Sequence, residues 1–154
     1  MLREAPPRVV LFLCSGNYYR SRFAEAIFNH RATAAGLRWV ATSAGLRPDH
    51  FRFNPGTISS LVTEGLSARG IAAAPPRAPL AVCEADLESA ARVIAMKESE
   101  HRPVIAANFP RWTDRVVYWN VEDVMDAAPF QTLRAIDHRV DELIEALVEA
   151  PSWL

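Results

Sequence analysis

Cys14, Gly16, Asn17, Arg20 and Ser21 fall inside eight residues, CSGNYYRS. A thiol at one end and a guanidinium near the other are the parts of an anion-cupping loop. Gly16 and Asn17, between them, are residue types that tolerate positive φ. A tight loop of that kind turns successive backbone N–H groups inward, and a helix starting at its end adds partial positive charge. Arg20 can close the bowl with a planar fork matched to a phosphate-like oxyanion. Such a field favours the thiolate, the nucleophilic form of Cys14. Ser21, at the helix start, can hydrogen-bond that sulfur. A nucleophile, an oxyanion cradle and a cation so close together suit phosphoryl transfer through a phosphocysteine. The plainer reading of Cys14 is a small buried hydrophobe ending a strand.

A loop of this type needs a strand before it and a helix after it. RVVLFL (Arg8 to Leu13) is continuously apolar and β-branched, as a strand covered on both faces would be. The spacing of Phe23, Ala24, Ile27, Phe28 and Ala34 predicts a helix from about Ser21 to Ala35, stopped by Gly36. RWVATSAG predicts a second strand, and RVIAM and RVVYW two more, with a helix in KESEHRPVIAANF between them. PGTISSLVTEGLSARG predicts a helix with Pro55 near its start and Gly70 after its end. Leu133, Ile136, Val140, Leu143, Ile144 and Leu147 form the apolar stripe of a last helix. Strands alternating with helices predict one α/β domain over residues 1–154. It would hold a four-stranded parallel sheet with helices on both faces and a phosphate-binding loop after the first strand. Ligands of such sheets bind beyond the carboxyl ends of the strands, where Cys14 falls.

Composition narrows the function. Of 154 residues, 50% are hydrophobic and 23% charged, which fits a globular protein of one domain. A net charge of -1 without a Lys/Arg block argues against nucleic-acid and membrane partners. Two cysteines, Cys14 and Cys83, are too few for a disulfide scaffold, and MLREAPPRVVLFL makes a poor signal peptide. The expected location is cytoplasmic. His30, His50, His101 and His138 lack metal spacing with one another or with either cysteine, so neither a metal nor a cofactor is implied.

VVLFLCSGNYYRSRFAEAIFNH resembles the signature of the low-molecular-weight protein tyrosine phosphatases: a strand, Cys-x-Gly-Asn-x-Cys-Arg-Ser-Pro, then a helix with Ala-Glu. Echoes continue through TSAGL, ARGI, Arg77 with Leu80, RVIAM with His101 after it, and a late acidic loop. The resemblance implies Cys14 as nucleophile, Arg20 as transition-state clamp and Ser21 as thiolate stabiliser. Ser15, Gly16, Tyr18 and Tyr19 would complete the loop, with Asn17 and Ser43 bracing it. It also implies an Asp general acid shortly before the last helix. Asp123 stands four residues after Trp119, though Val124 replaces the family's proline; Asp126 is the other candidate. Either carboxylate could instead cap the helix beginning near Pro129. Glu122 reads as solvated.

The chain also departs from the family pattern. Tyr19 stands where the loop's second cysteine would be, which removes a protective disulfide. Arg22 replaces a proline, and no loop-bracing histidine precedes Arg77 in AAAPPR. Val124 and Met125 occupy positions where tyrosine-specific members often carry aromatic residues. The rim would then come from Tyr18, Tyr19, His50, Phe51 and Phe53, unless Phe51 and Phe53 merely anchor their loop. Cys83 reads as core.

The first expectation is a metal-independent phosphomonoesterase acting on phosphotyrosine, with a phosphorylated protein or small phosphomonoester as partner. Protein arginine phosphatase and a phosphate-binding module without turnover are the alternatives. Arsenate reduction, which needs resolving thiols, is less favoured.

Overall fold

The computed structural model describes residues 5–73 and 76–150. The first residues of the leader reading, and Ala74 and Pro75 of AAAPPR, lie outside them. Strands β1 (Arg8–Cys14), β2 (Trp39–Gly45), β3 (Arg92–Ala95) and β4 (Val117–Tyr118) form an all-parallel sheet in the order β2-β1-β3-β4. Helices α1 (Arg20–Ala34), α2 (Ser60–Ala68), α3 (Glu84–Ser89), α4 (Glu98–Asn108) and α5 (Pro129–Glu149) supply the layers.

The unbroken apolar run of β1 serves two cores at once. Val10, Phe12 and Cys14 face α1 and α5, meeting Phe23, Ile27, Phe28, Leu133, Ile136 and Val140. Leu11 and Leu13 point the other way, toward Leu87 of α3 and Ile105 of α4. With both faces covered, β1 has no use for polar alternation. Cys14 ends it in register with Gly45 of β2, so the loop after β1 opens at the carboxyl edge of the sheet.

Two expectations are corrected. Helix α2 begins at Ser60, not near Pro55, because the Ser59 hydroxyl accepts the Leu61 N–H and starts the helix there. Pro55 stays in the loop, where its carbonyl accepts the Tyr18 hydroxyl at 2.6 Å. Cys83 is exposed rather than core: it precedes α3, and its backbone N–H and thiol both donate to the Asp86 carboxylate. A cysteine ahead of a short helix looks apolar in sequence, but α3 turns only Leu87 inward.

Candidate active site

The loop from Cys14 to Arg20 is held chiefly by one amide. Asn17 is fully buried at φ 51°, a left-handed conformation that asparagine tolerates. Its Nδ2 donates to Ser21 Oγ at 3.0 Å and to Ser43 Oγ at 2.9 Å. Its Oδ1 accepts Arg77 Nη1 at 2.9 Å and the Leu80 N–H at 3.0 Å. All four hydrogen-bonding positions of the amide are thereby used. Arg77 also reaches Ser43 Oγ at 2.9 Å and Glu25 Oε1 at 3.2 Å, and Ser43 donates to the same Glu25 oxygen. The brace expected from a histidine is made by an arginine.

Gly16 keeps an ordinary negative φ. What it supplies is room, because a Cβ there would lie 3.2 Å from the Phe51 ring. Gly45 is more tightly constrained: a Cβ would sit 2.9 Å from the Ser15 carbonyl oxygen.

The Cys14 sulfur is buried 2.9 Å from Ser21 Oγ. Since Ser21 already accepts from Asn17, its own proton is free to point at the sulfur. Arg20 is buried, and a buried guanidinium requires carboxylates. It donates through Nη1 to Glu100 Oε2 at 3.0 Å and through Nη2 to Glu100 Oε1 at 2.7 Å. Nη1 also donates to the Val121 carbonyl at 3.1 Å. Asp123 Oδ2 stands 3.5 Å from Nη2. Burial alone would lower the guanidinium's pKa, but Glu100, Cys14 and Asp123 raise it above its ordinary value. Burial likewise opposes the Glu100 carboxylate. Its partners His101, Arg20 and Ser15 outweigh that and hold it far below the usual carboxylate range.

Ser15 donates to Glu100 Oε1 at 2.7 Å and lies 3.1 Å from His101 Nε2. His101 is fully buried, and its Nδ1 accepts the Lys97 N–H, which leaves the proton of a neutral ring on Nε2, facing Ser15. Neither Glu100 nor the His101 contact was expected from sequence. Both sit on the first turn of α4, after β3, and the strand order that sets β3 beside β1 is not written in residue spacing.

A cavity of about 390 Å³ opens over the sulfur. It is lined by Cys14, Ser15 and Arg20, by Tyr18, Phe51, Phe53, Leu61, Val124 and Met125, and by Asp123 and Tyr19. Phe53 and Met125 are 78% and 88% exposed, an apolar collar at the mouth. Burial raises the pKa of the Tyr19 hydroxyl, against the opposing effect of the Thr132 side chain. His50 is exposed on the 3-10 turn before Phe51 and does not line the cavity.

Asp126 is exposed and lies off the cavity, and neither it nor Asp123 caps α5, whose N-cap is Ala128. Asp123 Oδ1 instead accepts the Val124 N–H. Glu122, expected to be solvated, pairs with Lys97. Among the described residues no three His, Cys, Asp or Glu side chains group as a metal site would, and no helix is long and apolar enough to cross a membrane.

A strand, a thiol-to-arginine loop braced by asparagine, and a helix at the carboxyl edge of a parallel sheet define a cysteine-dependent phosphatase architecture. Residues 9–150 match the model of the low molecular weight phosphotyrosine protein phosphatase family, and the chain belongs to that family. It is 36% identical over 107 residues to a protein-arginine-phosphatase of Bacillus subtilis, covering 70% of this chain and 67% of that protein. With the low molecular weight protein-tyrosine-phosphatase YfkJ of the same organism it shares 41% identity over 91 residues, 56% of this chain and 54% of the relative. The crystal structure of a low molecular weight protein tyrosine phosphatase from T. tengcongensis superposes with a TM-score of 0.75 at 31% identity. That match covers 90% of this chain and 99% of the other.

Proposed function

We propose that the protein hydrolyses phosphotyrosine on protein substrates in two steps, with Cys14 as nucleophile, Arg20 as oxyanion clamp and Asp123 as general acid. The sulfur attacks phosphorus in line, a P–S bond forms, and the P–O bond to the leaving group breaks as Asp123 protonates that oxygen. Asp123, now a carboxylate, takes a proton from water. The water oxygen attacks phosphorus, and the P–S bond breaks to release phosphate and regenerate the sulfur. Ser21, aimed at the sulfur, stabilises the thiolate at both ends of the cycle. Backbone N–H groups of the loop and Arg20 meet the charge spread over the equatorial oxygens.

The observation that carries this reading is the common cavity. Cys14, Arg20 and Asp123 line one opening, with the Cys14 sulfur bonded to Ser21 beneath it. A phosphate-binding module without turnover would have no use for a carboxylate opposite a thiol. A thiol relay for arsenate reduction finds no second cysteine among the lining residues, since Cys83 is exposed beside Asp86.

The walls support an aromatic leaving group. Tyr18, Phe51, Phe53, Leu61, Val124 and Met125 all line the cavity, and Asp123 is the single carboxylate among the lining residues. A phenyl ring gains from apolar and aromatic walls. A guanidinium leaving group would gain from more negative charge. The relative named protein-arginine-phosphatase keeps phosphoarginine as the second reading. Two unpaired cysteines accord with a cytoplasmic location.

Hydrolysis of p-nitrophenyl phosphate in the presence of EDTA tests the chemistry. Wild type should turn over and Cys14→Ser should not. Comparing kcat/KM for phosphotyrosine and phosphoarginine peptides of one sequence then decides the substrate. Absence of wild-type turnover from mildly acidic to mildly basic pH would sink the phosphatase reading for this artificial substrate and favour the phosphate-binding module.

A further inference from the structure

Glu100 has no part in the two-step cycle above, yet it is the carboxylate that pairs most closely with Arg20. Arg20 has five N–H donors, four of them paired in two bidentate edges, Nη1/Nη2 and Nε/Nη2, and one on Nη1 alone. Glu100 occupies the Nη1/Nη2 edge, and the Val121 carbonyl takes the second Nη1 hydrogen. The edge left over is Nε/Nη2, a planar fork of the width that two phosphoryl oxygens span. We propose that Glu100 is the positioning residue for Arg20, gripping one edge of the guanidinium so that its Nε/Nη2 edge is presented to the transferring phosphoryl group.

Three features separate this from an ordinary acid in the first turn of a helix, which would gain only from the dipole. Glu100 receives hydrogen bonds from Ser15 and twice from Arg20, all on the side facing the loop. His101 Nε2 stands 3.4 Å from its Oε1 and 3.1 Å from Ser15 Oγ, so the carboxylate is itself fixed from the fully buried side of α4. Asp123 competes for the same Nη2 at 3.5 Å. By meeting the charge of the buried guanidinium, Glu100 leaves Asp123 free to hold a proton for the leaving group. Without Glu100, Arg20 would turn toward Asp123, and clamp and acid would be misplaced together.

The inference rests on the phosphatase reading, so its test includes a readout that needs no turnover. Tungstate, a phosphate-shaped oxyanion, is titrated calorimetrically into wild type, Glu100→Gln, Arg20→Lys and the double variant, alongside p-nitrophenyl phosphate kinetics and circular dichroism. Glu100→Gln should weaken tungstate binding by about tenfold or more through loss of the aligned charged fork. It should lower kcat/KM by about a hundredfold, the scale of an ångström of misplacement. In the Arg20→Lys background the same substitution should change tungstate affinity by less than about twofold, because the two residues act as a unit. Glu100→Asp should recover part of the loss, and it carries the same cycle if the glutamine variant does not fold. A folded Glu100→Gln variant that binds tungstate like wild type would overturn the proposal. So would an equal cost in the wild-type and Arg20→Lys backgrounds, the mark of a merely structural residue. A wild type that binds tungstate but hydrolyses nothing would overturn the phosphatase reading and leave the cycle to judge the clamp.

Discussion

At Asp123 and Asp126 two carboxylates three residues apart compete for one role, and their surroundings separate them. Asp123 lines the cavity within 3.5 Å of the Arg20 guanidinium, while Asp126 is exposed outside it. A general acid matters most when the leaving oxygen is basic. Asp123→Asn should therefore reduce kcat by about 10²–10⁴-fold on a phosphotyrosine peptide, the ordinary worth of proton transfer. It should do less harm with p-nitrophenyl phosphate, whose leaving group departs readily. Asp126→Asn should stay near wild type on both substrates. Steady-state kinetics on the pair of substrates decides the matter, and the reverse pattern would move the role to Asp126. Both candidates stood in the sequence with the right spacing. Their ranking depends on which way the short turn before α5 directs each side chain, and hydrogen bonds from Asp126 N–H and Ala127 N–H back to the Asp123 carbonyl set that turn.

The elements that place the loop were legible because each carries its own local signal: the apolar run of β1, the helical spacing of α1, the stripe of α5. The Asn17–Ser43 contact that braces the loop was legible through the family resemblance, but the rest of what holds it was not, since it comes from segments distant in the chain. Arg77 lies in a stretch without regular structure, yet it joins Asn17, Ser43 and Glu25, so one side chain ties the catalytic loop to β2 and α1. A missing histidine upstream of Arg77 gave no hint that the arginine itself closes the brace. Glu100 was hidden in the same way, because α4 meets the loop only through the β1–β3 pairing. Arg77→Ala would leave Asn17 Oδ1 with one donor and the partly buried Glu25 without its cation. A loss of about 1–3 kcal/mol is expected, the cost of stranding partly buried polar groups. Urea unfolding at neutral pH measures it. Arg77→Lys, which keeps the charge but not the fork, should recover only part, and a variant as stable as wild type would show that the brace holds without Arg77.

Acidification tests how the whole molecule depends on the buried ion pair. The Glu100 carboxyl is held well below its ordinary value of 4.5: burial pushes the other way, but His101, Arg20 and Ser15 prevail. A carboxyl whose pKa is lower folded than unfolded binds fewer protons in the native state. Its contribution to stability is therefore complete above about pH 4.5 and is lost as pH falls through the lower, folded value. The consequence is a difference between two melting curves. Wild type should exceed Glu100→Gln in melting temperature by a constant margin from neutral pH down to about pH 5.5, and the margin should narrow below about pH 4.5. Activity follows the same logic: Arg20 is gripped by an ionised partner throughout the mildly acidic range, so the acid limb of kcat/KM cannot come from loss of the clamp. Were the margin instead to close between about pH 7 and pH 5.5, where the Glu100 carboxylate stays ionised, the Glu100–Arg20 pair would not be its source.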